Sequence, residues 1–111
     1  MEPDDNEIIK VMKRIAFACV RCRQKGFVTY TLATGFSHDM CYSYLSQAHS
    51  MYPIANPEKY DVEEGFVLEN GDFVDRMTAM WIAEDADQLR EEYKNRNYPL
   101  LYSYMLNYKK D

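Results

Sequence analysis

The chain has 111 residues, and its 18 acidic and 13 basic side chains give a formal net charge of −5 at pH 7. This charge disfavours a protein that binds long DNA or RNA, because such proteins use an excess of Lys and Arg to neutralise phosphates. The length predicts one domain over residues 1–111 with a single hydrophobic core.

The beginning of the chain predicts neither a secretory leader nor a membrane anchor. Residues 1–5 are acidic, and no apolar run in the sequence reaches the length of a membrane span. The three cysteines are an odd number, which argues against a framework of disulfide bonds. We therefore expect a cytoplasmic protein with reduced thiols.

The segment before residue 33 fits two interpretations. Apolar side chains recur at helical spacing and favour a helix over residues 6–23: Ile8, Val11, Met12, Ile15 and Cys19. Strand-forming residues dominate residues 15–23 and 27–32, however, and Lys25-Gly26 lies between these two runs. We predict a β-hairpin from the two runs, with a short helical or irregular lead-in to about residue 12.

A helix is expected next, over residues 39–51. Gly35 permits a bend, and Ser37 or Asp39 can accept hydrogen bonds from the first turn of the helix. Pro53 ends the helix because it disfavours helical geometry in the residue before it. The predicted buried stripe consists of Met40, Tyr44, Leu45 and Ala48.

The central unit of the sequence is a predicted hairpin followed by a second helix. After an exposed loop at residues 53–64, two apolar runs flank Asn70-Gly71. This dipeptide suits a type I′ turn because both of its residues tolerate positive φ. Asp75 can cap a helix over residues 75–88. The apolar stripe of that helix comprises Ala79, Ile82, Ala83 and Ala86.

The end of the chain is predicted to return to the core. Residues 90–97 are charged and precede Pro99, whereas residues 100–106 are apolar enough for a buried strand or tight turn. Strand-like and helical periods thus alternate along the chain. The sequence predicts an α+β fold, a small single domain in which β-hairpins pack against two helices.

The spacing of cysteine and histidine allows a zinc site as an alternative to buried thiols. Cys19-x-x-Cys22 and His38-x-x-Cys41 have the residue types and pair spacings of a tetrahedral structural site. Cys19 and Cys22 lie within one strand-like run, however, which directs them to opposite faces. No identifiable oxyanion hole or orienting group accompanies a Cys41 nucleophile with His38 as its base. We therefore predict no metal, no cofactor and no enzymatic activity.

Several short motifs of the chain resemble a known group of proteins. They are Gly65-Phe66, Gly71, Phe73 and Arg76 in the central unit, His38-Asp39 at the first helix, and Leu101-Tyr102-Ser103 near the end. Spread over residues 15–106, this order is similar to that of short bacteriophage proteins that include the first Thoeris anti-defence family, the Tad sponges. The resemblance implies an oligomeric, non-enzymatic protein in the cytoplasm of an infected bacterium. The resemblance further implies that the protein sequesters there a cyclic ADP-ribose-type or cyclic oligonucleotide signal of host immunity.

The resemblance and the side-chain chemistry together predict a ligand site: Phe36, His38, Asp39, Phe66, Asn70, Phe73, Arg76 and Tyr102. Phe66 and Phe73 are expected to face each other across the hairpin and stack on an adenine, the alternative being a core pair. His38 and Arg76 are expected to donate to phosphate or ribose, the alternative for Arg76 being simple exposure to solvent. Asp39 is either a hydroxyl acceptor or merely a helix cap.

The sequence departs from the family pattern at two pairs of neighbouring positions. Phe36 and Ser37 stand where the pattern has Arg and His, and Tyr104-Met105 stand in place of Glu-Asp. Losing an arginine removes a planar donor that binds phosphate through two hydrogen bonds. We therefore expect the ligand to be a relative of the family's signal.

Aromatic and thioether side chains predict self-association. The chain has ten tyrosines and seven methionines, and Met80-Trp81 adds apolar positions beyond one helix stripe. The expected partners are a small cyclic nucleotide and further copies of the chain, with no long nucleic acid and no membrane. The competing hypotheses are a protein-interaction module that acts through a Tyr-rich surface and a small structural zinc-binding domain.

Overall fold

The computed structural model describes residues 13–108 and confirms the α+β class, with β-hairpins packed against two helices. One antiparallel sheet has the strand order β2-β1-β3-β4. The strands are β1 (Ile15–Gln24), β2 (Thr31–Gly35), β3 (Tyr60–Leu68) and β4 (Phe73–Asp75). The helices are α1 (His38–His49) and α2 (Arg76–Asp85). Short 3₁₀ turns span Pro57–Lys59, Glu91–Tyr93 and Ser103–Met105.

The first segment forms the predicted hairpin, although its second strand begins later than expected. β1 pairs with β2 on one side and β3 on the other. The alternative of a helix over residues 6–23 is therefore wrong for residues 13–23, the part of that range that the structure describes. The predicted lead-in before residue 13 lies outside the described residues. Residues 27–30 are not in a strand, because the register pairs Cys22 with Thr31 and places Ala33 opposite Val20. This register buries Ala33 and shifts the strand toward Gly35.

Both helices pack on one face of the sheet, which we call the helix face. α1 contacts β1 and β2, and α2 contacts β1, β3 and β4. Alternate residues of a strand point to the same side. The core cluster therefore combines strand residues of one parity with residues of both helices: Ala18, Val20, Cys22, Phe66, Cys41, Leu45, Ala79, Met80 and Ala83. Leu101, Met105 and Leu106 also belong to it, which confirms the return of the C-terminal segment to the core.

Helix α1 has the predicted position but a different buried stripe. Ser37 is the cap, because its hydroxyl accepts from the Met40 N–H at 3.2 Å. The helix ends at His49, where Ser50 adopts left-handed geometry with φ 55°, before Pro53 is reached. Of the predicted stripe only Leu45 is buried, while Met40, Tyr44 and Ala48 are exposed. The helix instead turns His38 and Cys41 toward the sheet, since the small Cys41 allows close approach to the Ala18 carbonyl.

The central hairpin differs from its prediction in length, turn type and register. β3 begins at Tyr60, so part of the predicted exposed loop over residues 53–64 is strand. The Gly71 N–H donates to the Leu68 carbonyl, and Gly71 alone in this turn has positive φ, at 97°. A type I′ turn needs positive φ at both central residues, so the loop is instead a three-residue connection closed by glycine. The register pairs Phe66 with Val74 and Val67 with Phe73.

Helix α2 confirms the predicted cap. The Thr78 N–H donates to Asp75 Oδ1 at 2.8 Å. The helix ends at Asp85, three residues before the predicted end, because Asp87 adopts left-handed geometry with φ 57°. Ala79, Ala83 and Ala86 are buried as predicted, and Ile82 is partly buried against the core. Met80, which is outside the predicted stripe, is buried as well. Trp81 is exposed and therefore is not a core residue.

Gly65 allows β3 and β4 to pair closely, and we expect Gly65→Ala to destabilise the fold. A Cβ atom built there lies 2.2 Å from the Val74 carbonyl oxygen and 2.7 Å from the Phe73 ring. Overpacking of this kind costs about 1–3 kcal/mol, which urea unfolding measures. The control is Gly26→Ala, where no atom lies within 4 Å of the new Cβ and only left-handed strain is added. Equal losses in the two variants would contradict the steric explanation.

Candidate functional site

A cleft of about 440 Å³ opens where α1, β3, α2 and the C-terminal segment meet. We call it the Arg76 cleft. Its lining residues are Ser37, His38, Asp39, Tyr42, Ile54, Glu64, Arg76, Tyr102, Ser103 and Tyr104. The volume lies within the range of small-molecule sites. The structure thus brings together His38, Asp39, Arg76 and Tyr102 from the predicted ligand site.

Arg76 lies in the first turn of α2, with its side chain held on three sides. Its Nη2 atom forms an ion pair with Glu64 Oε1 at 2.6 Å and lies 3.5 Å from His38 Nδ1. The guanidinium carbon lies 4.6 Å from the centroid of the Tyr102 ring. Only 22% of the side chain is exposed, so the alternative of simple solvent exposure is wrong. Glu64 offsets the unfavourable position of a cation at a helix N-terminus.

His38 is buried, with 8% of its surface exposed, and is committed to the protein. Its Nε2 atom lies 2.8 Å from the Gly65 carbonyl oxygen. Burial lowers the pKa of His38, the hydrogen bond to Gly65 opposes this shift, and the Arg76 charge adds to it. The partners thus assign a neutral imidazole in which Nε2–H donates to Gly65 and Nδ1 accepts from Arg76. The expectation that His38 donates to a ligand is therefore corrected, because its N–H is used within the fold.

Glu64 is a charged residue of this cleft that is absent from the predicted ligand site. It accepts a hydrogen bond from the Tyr42 hydroxyl at 2.5 Å through Oε2 while Oε1 binds Arg76. Burial and the hydrogen bond to Glu64 raise the pKa of Tyr42. The sequence predicts a loop over residues 53–64, and a loop assigns Glu64 to neither face of a sheet. The alternation of Val62, Glu64 and Phe66 along one strand is the signal that could have placed it on the helix face.

Two tyrosines of the C-terminal segment stack on each other beside Arg76. The rings of Tyr102 and Tyr104 are nearly parallel, at 11°, with centroids 5.7 Å apart. Tyr102 belongs to the predicted ligand site, and Tyr104 does not.

Asp39 lines the cleft from the first turn of α1. Its carboxylate makes no hydrogen bond or ion pair within residues 13–108. Ser37, not Asp39, is the helix cap.

The other four predicted site residues do not line the cleft. Phe66 is fully buried in the core, with its ring centroid 5.1 Å from that of His38. Phe73 points to the opposite face of the sheet, where the guanidinium of Arg21 lies 4.5 Å from its ring centroid. The predicted stacking pair of Phe66 and Phe73 is therefore wrong, because their register differs by one residue. Phe36 packs against Phe17 with ring centroids 5.6 Å apart.

Asn70, the last of these four, lies at the exposed tip of the central hairpin. Its side-chain oxygen accepts from the Asp72 N–H at 3.0 Å. This local hydrogen bond stabilises the turn. Asn70 is thus a turn residue in this structure.

The cysteines are free and buried. Burial raises the pKa values of Cys19 and Cys41 to about 11. Across residues 13–108, the structure contains no group of three or more His, Cys, Asp or Glu side chains arranged to hold a metal ion. It thus does not assemble the alternative zinc set of Cys19, Cys22, His38 and Cys41.

No helix within the described part of the chain is long and apolar enough to cross a membrane.

Comparisons with curated proteins and with solved structures found no significant match. A family model described as "Phage T4 y16D protein" matches residues 14–106, which is nearly all of the described chain. The chain therefore belongs to the phage T4 y16D protein family, a family of small bacteriophage proteins.

Proposed function

We propose that this phage protein binds a cyclic nucleotide signal of host immunity in the Arg76 cleft and withholds it from its effector. The signal is of the cyclic ADP-ribose or cyclic oligonucleotide type, and the binding takes place in the cytoplasm of the infected cell. The proposal rests chiefly on one observation: Asp39, Arg76 and Tyr102, which come from three separate segments, meet in one cleft. Membership of a phage protein family is consistent with a role during infection.

The side chains of the cleft match the three parts of a nucleotide. The ring of Tyr104, which stacks on that of Tyr102 and is 59% exposed, offers a surface for stacking a base, an interaction worth about 1–3 kcal/mol. Arg76 can donate to a phosphate through its planar guanidinium. The carboxylate of Asp39 is an acceptor for ribose hydroxyls. One cleft therefore contains a partner for each group.

The charges of the cleft determine how a phosphate can enter. Arg76 is paired with Glu64, and Asp39 adds a second carboxylate to the lining of the cleft, so an anionic ligand finds no unpaired cation there. A phosphate must compete with Glu64 for the guanidinium. We infer that binding exchanges the ion pair to Glu64 for one to the ligand, while Tyr42 continues to donate to Glu64.

The chemistry of Cys41 and His38 supports sequestration of the ligand without turnover. The Cys41 thiol points to the Ala18 carbonyl at 3.5 Å, and its pKa of about 11 keeps it protonated at neutral pH. A protonated thiol is a poor nucleophile. His38 uses both ring nitrogens within the fold. These observations support a binding protein rather than a hydrolase with this pair.

The test is release of the intact ligand. The purified protein is incubated with a panel of cyclic ADP-ribose isomers and cyclic oligonucleotides, separated from free ligand, and heat-denatured. We expect one member of the panel to be depleted from solution and recovered unchanged after denaturation. A modified product would indicate an enzyme, and a panel that stays free would overturn the proposal.

Glu64→Gln should tighten binding of the retained nucleotide about fivefold, the equivalent of ~1 kcal/mol for a partly exposed ion pair. The neutral amide keeps an oxygen for the Tyr42 hydroxyl but no longer competes as an anion for Arg76. Calorimetric titration at low and high salt measures the change. The matched control is Glu63→Gln, because Glu63 is the residue immediately before Glu64 and pairs with Arg21 on the opposite face of the sheet. Weaker binding in Glu64→Gln would contradict the proposed exchange of partners.

A further inference from the structure

A second pocket, separate from the Arg76 cleft, lies between α2 and the segment around Pro99. Its volume is about 300 Å³. We call it the Trp81 pocket, and it is lined mainly by Met77, Met80, Trp81, Glu84, Tyr98 and Pro99. Trp81 is 64% exposed, which is unusual for the largest apolar side chain. Met77 and Tyr98 line the same pocket and are also exposed, and an exposed apolar patch of this kind indicates a binding surface.

The lining of the Trp81 pocket is aromatic, polarizable and negatively charged. The indole of Trp81 makes no ring or cation–π contact within residues 13–108, and Tyr98 contacts only the edge of Tyr93 among the described rings. The carboxylate of Glu84 makes no hydrogen bond or ion pair with any described residue. In the same part of the chain, no Lys or Arg lines the pocket. An anionic ligand would therefore find a carboxylate and no counter-charge.

Aromatic faces attract cations because the ring quadrupole is negative above and below the ring. Trp is the strongest of the aromatic residues in this respect, and weakly hydrated alkylammonium groups lose least when they leave water. A carboxylate at the rim adds direct attraction. We propose that the Trp81 pocket binds a trimethylammonium group through Trp81, Tyr98 and Glu84.

The geometry of α2 separates this pocket from the cleft. Met77, Trp81 and Glu84 follow one another at helical spacings of four and three residues, so they share one side of the helix. None of them lines the Arg76 cleft. Binding in the Trp81 pocket is therefore independent of the nucleotide proposal, and either can fail without the other.

The test uses Trp81 as its own reporter, because it is the single tryptophan of the chain. Choline and a short peptide that contains trimethyllysine are titrated into the protein while tryptophan emission is recorded. We expect saturable changes in emission, and the stronger of the two ligands identifies the source of the ammonium group. The neutral tert-butyl analogue of choline, in which carbon replaces nitrogen, should bind at least about fivefold more weakly.

Variants are compared by calorimetry, which does not depend on the fluorophore. Trp81→Leu should abolish binding, and Glu84→Gln should weaken it about threefold or more. Tyr44→Phe on α1 is the matched control and should bind as the parent does. Equal affinity for choline and its neutral analogue would overturn the proposal, since the pocket would then be merely apolar. Light scattering that shows a dimer, with Trp81 emission changing on dilution, would also overturn it.

Discussion

Replacing Arg76 with methionine should weaken binding of the sequestered nucleotide about ten- to hundredfold. A charge-assisted hydrogen bond to phosphate contributes roughly 1.5–3 kcal/mol. Within residues 13–108, Arg76 is the one Lys or Arg that lines the cleft, so no neighbouring cation replaces it. Methionine keeps much of the side-chain length and packs against Tyr102 without a charge. Calorimetric titration with the ligand identified in the release assay measures the loss.

The control for this variant must separate binding from folding. Removing Arg76 leaves the partly buried Glu64 without its counter-charge, which itself destabilises the fold. The double variant Arg76→Met with Glu64→Gln removes both charges and should recover stability but not binding. Arg21→Met is a matched arginine loss on the opposite face, where Arg21 pairs with Glu63. If Arg76→Met and Arg21→Met bind equally well, Arg76 does not contact the ligand.

Phe66→Ala should reduce the free energy of unfolding by about 3–5 kcal/mol, the range for large-to-small substitutions in a packed core. Phe66 is the largest of the fully buried side chains and lies against the ring of His38. A loss of this size removes much of the total stability of a small domain. Urea unfolding followed by circular dichroism measures it.

Phe73→Ala is the informative comparison for Phe66→Ala. Phe73 is only half-buried and lies on the opposite face, so its loss should cost clearly less than that of Phe66. Measuring both stability and nucleotide binding of the two variants also distinguishes a core role of Phe66 from the ligand role that the sequence predicts. A Phe66→Ala protein that is as stable as the parent but no longer binds nucleotide would restore that expectation.

Local chemistry made the helix starts and the order of the elements predictable. Asp75 and Ser37 are capping residues whose short polar side chains reach the first-turn N–H groups, whatever the rest of the chain does. The strand-like run that became β1 has β-branched, aromatic and cysteine residues at close spacing. The helical spacing that competes with this strand prediction begins at Ile8, before the described residues 13–108.

Register and face were not predictable in the same way, because they depend on partners distant in sequence. A type I′ turn at Asn70-Gly71 would pair strand residues differently from the glycine-closed loop observed, and one residue of slip moves a side chain across the sheet. This slip is why Phe66 and Phe73 separate. The phase of α1 was likewise set by contacts with the sheet, which bury Cys41 and leave Tyr44 exposed.

The cleft was predictable in part. Asp39, Arg76 and Tyr102 were named from a resemblance in short motifs, and their meeting in space required the C-terminal segment to return beside α2. The Leu101 N–H donates to the Arg76 carbonyl at 3.1 Å and holds that segment in place. Glu64 and Tyr104 could not be singled out by type, since acidic residues and tyrosines are abundant throughout the chain.

Gly65 makes contacts on both faces of the sheet. Its carbonyl oxygen holds His38 beneath the cleft, while the absence of a side chain makes room for Phe73 on the other side. Gly65 therefore lies between His38 and the cleft on one face of the sheet and the ring of Phe73 on the other face. A side chain at position 65 that pushes β3 away from Phe73 therefore also moves the atom that orients His38, so no substitution there is confined to one side of the protein.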